Sequence, residues 1–380
     1  MSNARLPSAL ALGLLWVLLC ACPEQNVPEG PDAGAIDAAA PSPDGDGGCP
    51  GYTEDLTACA PAPTDYQPRQ GVSGANGWPA CISDDNAYHL VGSDTPSSAS
   101  RSVSFDVMGV RLWNNSAEPT REDFLAARDE YSVAAGIASR VARRQDIHYA
   151  EVPGGDKFAC QSAGVPEQYP ERCAGPGRLK PIIDGAFEKG LARTEPRLQA
   201  ARIEAALLWF FHLSLSSEVW TCSFNALGDC DSAMAYYSQM SERDAPQGLA
   251  KLVADLGPET HQRIFDAMLA VRCWRDADPA LPMTNTGQYE RAQAQLSKAA
   301  LRGQALILRE RIGRIGCLTG AAQAAQAEFV KVLGGLLDHD AGLLDAAKAA
   351  ELKAYTASPT ADPSAISAAQ AAIDSIFACP

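Results

Sequence analysis

The chain has 380 residues, with 31 basic and 46 acidic side chains and a formal net charge of −15. Nine of the acids and a single base fall within residues 1–65, so residues 66–380 carry 30 bases and 37 acids. A moderately acidic body lacks the basic footprint that nucleic acids require, and we expect no nucleic-acid partner. A body of this length can form one large domain or two smaller ones.

The first residues have the pattern of a secretion signal. Arg5 supplies a positive charge, an apolar run covers residues 9–19, and the small Ala21 ends the segment. The run is shorter than the roughly 20 apolar residues of a membrane-spanning helix. We therefore expect residues 1–21 to be a signal peptide.

Residues 19–22, Leu-Cys-Ala-Cys, resemble the lipobox of bacterial lipoproteins. The resemblance implies that Cys22 receives a covalent lipid, with acyl chains such as palmitate. The alternative is an ordinary signal peptide that is cut nearby, with Cys22 paired or free. Several acyl chains on one residue anchor a protein firmly, at about 0.8 kcal/mol per buried methylene. We expect export and anchoring to the cell membrane or the outer membrane, facing the periplasm or the cell surface.

Residues 23–48 have the composition of a tether. They include five Pro, five Gly, five Ala and four Asp, and no Lys or Arg. Such a segment buries too little apolar surface to offset its ordering entropy. We predict that residues 22–48 form a lipidated, disordered and acidic tether.

Ten of the 12 cysteines remain once the signal cysteine and the lipidated one are set aside. An even number in an exported chain predicts up to five disulfides and an oxidising compartment. The likeliest local pairs are Cys160–Cys173 and Cys222–Cys230, each contributing roughly 2–4 kcal/mol. The alternative is that some of the ten are buried free thiols.

The predicted elements begin with an irregular, cysteine-containing segment at residues 49–118. Within it, residues 101–113 alternate partly between apolar and polar side chains, which predicts a short strand or hairpin. Thr120 and Asp123 then have the spacing of a capping box. We expect a helix to begin there and to run to about His148.

A long interruption at residues 153–177, rich in Pro and Gly, follows this helix. Helices resume near Leu179, and Pro196 suits the first turn of another helix, which ends near Trp220. The middle of that helix is apolar on nearly every side, which is typical of a buried helix. We predict that it is the central helix of the body.

Shorter helices are predicted with a cap near Asp231 and with starts at Pro246 and Pro258. Residues 301–315 then carry apolar side chains on one face of a long helix. Ala-rich helices complete the chain to Phe377. The predicted fold is all-α, a helical bundle or stacked helical pairs stapled by disulfides, with a short irregular or β-containing N-terminal segment. The helical domain is placed at residues 119–380.

Standard catalytic motifs are absent. The sequence has no Gly-x-Ser-x-Gly, no His-Glu-x-x-His, no phosphate loop and no dinucleotide-binding glycine pattern. This favours a protein that is not an enzyme. A hydrolase whose site is assembled from distant residues is an alternative, because catalytic triads are defined by geometry.

His148 and Glu151 are the candidate metal ligands. On a helix two residues three apart face the same way, and both side chains bind iron or zinc. The segment 146–151 resembles the Gly-x-His-x-x-Glu motif of imelysin-like proteins, with Asp146 in place of the motif's Gly. The resemblance implies a helical, exported, often lipidated protein linked to iron uptake, with metal or haem acquisition as its function. The alternative is a surface pair at a helix end.

His212 is a second candidate, because it lies in the predicted central helix between Glu204 and Glu218. The two acids are about 21 Å apart along a helix, so they cannot share one metal ion. We interpret them as end-of-helix salt bridges with the nearby Arg202 and Arg197, and His212 as a satisfied core residue.

Three functions follow from these observations. The first is a tethered module that binds a protein, an envelope polymer or a small ligand without catalysis. The second is imelysin-like acquisition of metal or haem, and the third is the hydrolase just described. The sequence favours them in that order.

Overall fold

The computed structural model describes residues 49, 61–68, 77–134, 136–156, 158–224 and 226–379. The predicted signal peptide, lipidation site and tether therefore lie outside the described residues. Within these ranges there is no β-strand, so the all-α prediction is confirmed. Across the same ranges, no helix is both long enough and apolar enough to cross a bilayer.

Thirteen α-helices occur in the described ranges. They are α1 Ser98–Leu112, α2 Arg121–Asp129, α3 Ile137–Val141, α4 Val165–Gln168, α5 Lys180–Leu191, α6 Pro196–Cys222, α7 Asp229–Ser238, α8 Leu249–Leu256, α9 Pro258–Ala277, α10 Thr286–Ile315, α11 Gly320–Leu344, α12 Ala346–Ala357 and α13 Pro363–Ile376.

Helix α1 replaces the strand or hairpin that the sequence predicts at residues 101–113, and that prediction is wrong. Phe105, Met108 and Leu112 are buried, while the valines of the alternating pattern are exposed. The buried residues are spaced by three and four, which is the helical period. The alternation of apolar and polar residues at 101–113 therefore comes from small polar residues on a helix, and the segment is not a strand.

The capping box at the start of α2 is confirmed, because the Thr120 hydroxyl accepts a hydrogen bond from the Asp123 amide. The predicted continuous helix to His148 is wrong. A π-helical segment, Glu130–Ala134, follows α2, and Gly136 has a φ of 61°, in the left-handed region. Glycine adopts this conformation without a steric penalty, so the helix breaks there. His148 consequently lies in a loop.

Helix α6 is the predicted central helix, and this prediction is confirmed. Every residue from Ile203 to Leu215 is buried, and α5, α7 and α11 pack around it. Each large apolar side chain that α6 buries contributes roughly 1.5–3 kcal/mol. The helix is therefore the axis on which the rest of the body is built.

Helix α11 runs parallel to α6 along its length. Arg202 of α6 bonds to Glu328 of α11 at 2.7 Å, and seven residues further along both helices a side chain at Gly335 would meet the Trp209 ring at 3.0 Å. Gly335 thus allows the backbone of α11 to approach the indole closely. The matched spacing fixes the two helices in register.

Helix α10 runs antiparallel to α6, so the body has two distinguishable ends. Arg311, near the end of α10, bonds to Glu204, near the start of α6, at 2.7 Å. Cys317 follows α10 and forms a disulfide with Cys49. We call this the Cys317 end. The opposite end carries the last turn of α6 and is called the Trp220 end.

Four disulfides join described cysteines. The two local pairs that the sequence predicts, Cys160–Cys173 and Cys222–Cys230, are confirmed. Sequence alone could not give the long-range pairings. These are Cys49–Cys317 and Cys81–Cys273, and Cys379 is disulfide-bonded as well.

Candidate functional site

A cleft of about 260 Å³ opens at the Trp220 end. One wall is formed by Ser217, Trp220 and Thr221, in the last two turns of α6. The other wall is formed by lining residues between 143 and 156, which follow α3, together with Ala159 and Arg172. We call this the Trp220 cleft.

Arg172 holds the loop wall in place. Its Nε donates to Oε1 of Gln145 at 3.0 Å, and its Nη1 donates to the carbonyl oxygens of Asp146 and Tyr149 at 3.1 and 2.9 Å. The amide of Asp146 donates in return to the Arg172 carbonyl at 2.8 Å. The Cys160–Cys173 disulfide, next in the chain to Arg172, closes the same loop covalently. The wall is therefore fixed before any ligand binds.

Arg144 joins the loop wall to α6. Its Nη2 donates to Oε1 of Glu218 at 2.9 Å, and its side chain is only 10% exposed. The guanidinium lies over the rings of Phe210 and Tyr236, at 5.7 and 5.9 Å from their centroids. Its Nε has no hydrogen-bond partner among the described residues. The main role of Arg144 is therefore to connect the loop wall to α6.

Arg143 and Glu151 also line the cleft, and both are exposed. Neither side chain makes a hydrogen bond or a salt bridge with the described residues. Burial, followed by the positive charges of Arg101 and Arg143, lowers the pKa of Arg140 from its ordinary value. The positive charges of Arg140 and Arg143 therefore act on each other beside this wall of the cleft.

Exposed aromatic rings lie at the rim. Trp220 is 37% exposed and packs edge-on against Phe224, with ring centroids 4.5 Å apart. Phe224 is itself 43% exposed, and Phe158, from the loop, is also exposed. Aromatic side chains supply large contact areas with few rotatable bonds, which makes them effective at binding surfaces.

The candidate metal ligands lie in the same loop but face different surroundings. Nδ1 of His148 lies 2.8 Å from Oδ1 of Asp146, and the imidazole packs toward His339 of α11, with ring centroids 6.3 Å apart. Glu151 instead lines the cleft. The segment is not helical, so His148 and Glu151 do not share a helix face. The metal prediction relied on that shared face and is wrong on this point. The described residues contain no group of three or more side chains arranged to hold a metal ion, and metal binding stays a prediction.

His212 is buried, as expected, but its Nδ1 has no hydrogen-bond partner among the described residues. The expectation of a satisfied core histidine is therefore wrong on this point. Burial lowers the pKa of His212 to about 4, so the imidazole is neutral near pH 7. It borders a small internal void together with Tyr237 and Gln304.

Glu204 and Glu218 form salt bridges, as predicted, but with other partners. Glu204 bonds to Arg311 of α10 and Glu218 to Arg144 of the loop. Both partners come from elements distant in sequence, so the local arginines proposed from the sequence were wrong. Arg202 bonds to Glu328 instead.

The hydrolase hypothesis gains no support from either cavity. The Trp220 cleft contains Ser217 and Asp156 without a histidine, and the void beside His212 contains neither serine nor aspartate. A nucleophile and its general base have to lie within hydrogen-bonding reach of each other.

Sequence reasoning missed the cleft itself. One signal was available in the cluster of Arg140, Arg143 and Arg144 directly before a loop closed by two cysteines. Trp220, at the end of an otherwise buried helix, was another. No protein family, curated protein or solved structure matches this chain, so the assignment of this site depends on its geometry.

Proposed function

We propose that the protein is an exported, lipid-anchored binding module that is not an enzyme, and that the Trp220 cleft is its ligand site. The observation that carries the proposal is the composition of the cleft. Exposed charges of both signs, on Arg143 and Glu151, make no hydrogen bond or salt bridge with the described residues and lie in one concave site beside the exposed ring of Trp220. Concave sites with a few convergent polar groups are where small ligands bind.

The rigidity of the loop wall supports the proposal. Arg172, the Cys160–Cys173 disulfide and the Arg144–Glu218 bond hold the wall in one arrangement. A preformed site avoids the entropic cost of ordering side chains when the ligand binds. Structural stability alone would not require an open cleft at this position.

The cleft lies at the end of the body opposite the Cys49–Cys317 disulfide. From Glu204, near that disulfide, to Ser217 in the cleft, α6 rises about 20 Å, at 1.5 Å per residue. The candidate ligands are an envelope polymer, a protein or a small molecule.

The test of the binding site uses the full-length protein in detergent and a small-molecule extract of the cell envelope. A ligand that binds only the folded protein raises its melting temperature. We expect the extract to raise the melting temperature of the wild type and not of the double variant Arg143→Gln/Trp220→Ala. Arg128→Gln, on the exposed face of α2, is the control and should respond like the wild type. An equal response in all three proteins, or none in the wild type, contradicts the proposal.

The anchor has its own test, because residue 22 lies outside the described residues. Replacing Cys22 with Ser removes the lipid attachment site, and we expect the protein to move from the membrane fraction to the soluble exported fraction. Continued association of Cys22→Ser with membranes contradicts lipid anchoring.

A metal-acquisition role, as in imelysin-like proteins, is the second candidate. The observation that favours it is the approach of His148, held by Asp146, to His339 across two elements. Elemental analysis of protein purified without chelators tests it. One iron, zinc or copper ion per chain that is lost in His148→Ala or His339→Ala would support this candidate. A metal-free protein that takes up none of these ions contradicts it.

A further inference from the structure

Most of the charged groups in the Trp220 cleft are already engaged. Arg144 bonds to Glu218, and Arg172 is surrounded by Gln145 and carbonyl oxygens. Oδ1 of Asp156 accepts a hydrogen bond from the amide of Phe158 at 2.8 Å and so fixes the local turn. These side chains build the walls of the cleft.

Arg143 and Glu151 remain, one positive and one negative. Neither side chain makes a hydrogen bond or a salt bridge with the described residues, although the charge of Glu151 acts on Arg172 in the same cleft. A ligand with a single negative charge would pair with Arg143 but would be repelled by Glu151. A ligand with a single positive charge would meet the opposite problem. A ligand that carries both charges satisfies both side chains.

The lining of the cleft also includes apolar side chains. Trp220, Ile147 and Val152 line it beside the charged groups. Its volume of about 260 Å³ lies just below the usual range of ligand pockets, roughly 300–1,000 Å³. The ligand is therefore small and carries an apolar side chain next to its charges.

From these features we propose that the Trp220 cleft binds a small zwitterion, an amino acid or a dipeptide with an apolar side chain. Its carboxylate pairs with Arg143, its ammonium group pairs with Glu151, and its side chain packs on Trp220. This inference rests on the proposed function, because it names the ligand class of the same cleft.

Calorimetric titration of the full-length protein in detergent tests the ligand class. The probes are L-leucine and L-leucyl-L-leucine, each compared with its N-acetyl form, which lacks the ammonium group, and its amide, which lacks the carboxylate. Inorganic phosphate is the anion-only probe. We expect at least one zwitterion to bind, and both blocked forms of it to bind about tenfold more weakly or worse, since hydrogen bonds to charged groups contribute roughly 1.5–3 kcal/mol.

Charge-neutralising variants assign the two ends of the ligand. In Arg143→Gln we expect the preference for the zwitterion over its amide to disappear. In Glu151→Gln we expect the preference over the N-acetyl form to disappear. Arg128→Gln and Glu122→Gln, exposed on α2, are the matched controls and should keep both preferences. Equal affinities for blocked and free forms, or equal losses in the controls, overturn the inference.

The pattern of failure separates this inference from the proposed function. If the envelope extract stabilises the wild type but no zwitterion binds, the ligand class is wrong and the binding site stands. Binding of phosphate alone, dependent on Arg143, also overturns the zwitterion and identifies an anion site. If neither the extract nor any probe acts on the wild type, both proposals are wrong.

Discussion

The two ends of the helical body use charged residues in opposite ways. At the Cys317 end, ion pairs link neighbouring helices. Glu204, which is only 2% exposed, bonds to Arg311, and Arg202 bonds to Glu328. At the Trp220 end, Arg144 bonds to Glu218 between the two walls of the cleft, but the exposed Arg143 and Glu151 make no salt bridge with the described residues.

This difference between the two ends separates charges with a structural role from charges that are candidates for ligand binding. A buried ion pair holds its helices in register, and the loss of one partner leaves an uncompensated charge in the interior. An exposed charge in a cleft contributes little to stability. Substitutions of the paired charges at the Cys317 end should therefore change stability, whereas substitutions of Arg143 and Glu151 should change binding.

The largest effect is expected at Glu204. Replacement with Gln keeps the shape of the side chain but removes the charged partner of Arg311 at 2.7 Å, and leaves Arg311 only a longer ionic contact of 3.6 Å with Glu310. We expect the free energy of unfolding to fall by about 3–5 kcal/mol, measured by urea denaturation. Glu122→Gln, on the exposed face of α2, is the control. A loss at Glu204 as small as that of the control would remove the distinction between the two ends.

The second effect concerns the disulfide that closes the loop wall. The double variant Cys160→Ser/Cys173→Ser opens a short loop, with a sequence separation of 13, and we expect a loss of about 3 kcal/mol in the free energy of unfolding. Because Arg172 lies beside Cys173, binding in the cleft should weaken as well. If stability falls while binding is unchanged, the disulfide does not shape the cleft.

The third effect belongs to His212, in the buried middle of α6. Burial lowers its pKa to about 4, so the unfolded chain binds more protons than the folded one between about pH 6.5 and pH 4. The free energy of unfolding should therefore decrease as the pH is lowered from about 6.5 to about 4, by roughly 3 kcal/mol in total. Denaturation of the wild type and of His212→Leu at several pH values isolates this contribution. Parallel pH curves for the two proteins would contradict it.

The smallest effect on stability is expected in the cleft. Arg143→Gln and Glu151→Gln should each change the free energy of unfolding by less than about 0.5 kcal/mol, while the affinity for the ligand falls about tenfold or more. A thermal denaturation series without ligand checks the first statement. A large destabilisation by either variant would show that the side chain has a structural role.

Local patterns in the sequence predicted the features that local interactions determine. The buried face of α6, the capping box of Thr120 and the two short-range disulfides are examples. The cap expected near Asp231 was wrong because this residue lies inside α7. Its carboxylate accepts hydrogen bonds from the hydroxyl of Tyr88 and from the amide of Val91, which lie far away in the sequence.

The cleft could not be predicted for the same reason. Its walls meet through contacts such as Arg144–Glu218, which are 74 residues apart. The π-helical segment and Gly136 end the helix that was expected to reach His148, and the loop that follows becomes a wall of the site. Tertiary packing, which a single sequence does not display, brings these parts together.

Amide hydrogen exchange on the full-length protein tests the contrast between the two ends most directly. Exchange is compared with and without the small-molecule extract of the envelope. We predict that the extract slows exchange in residues 143–156 and 217–222, at the Trp220 end, and leaves residues 311–328, at the Cys317 end, unchanged. Protection at the Cys317 end, or no protection at the Trp220 end, would contradict the account.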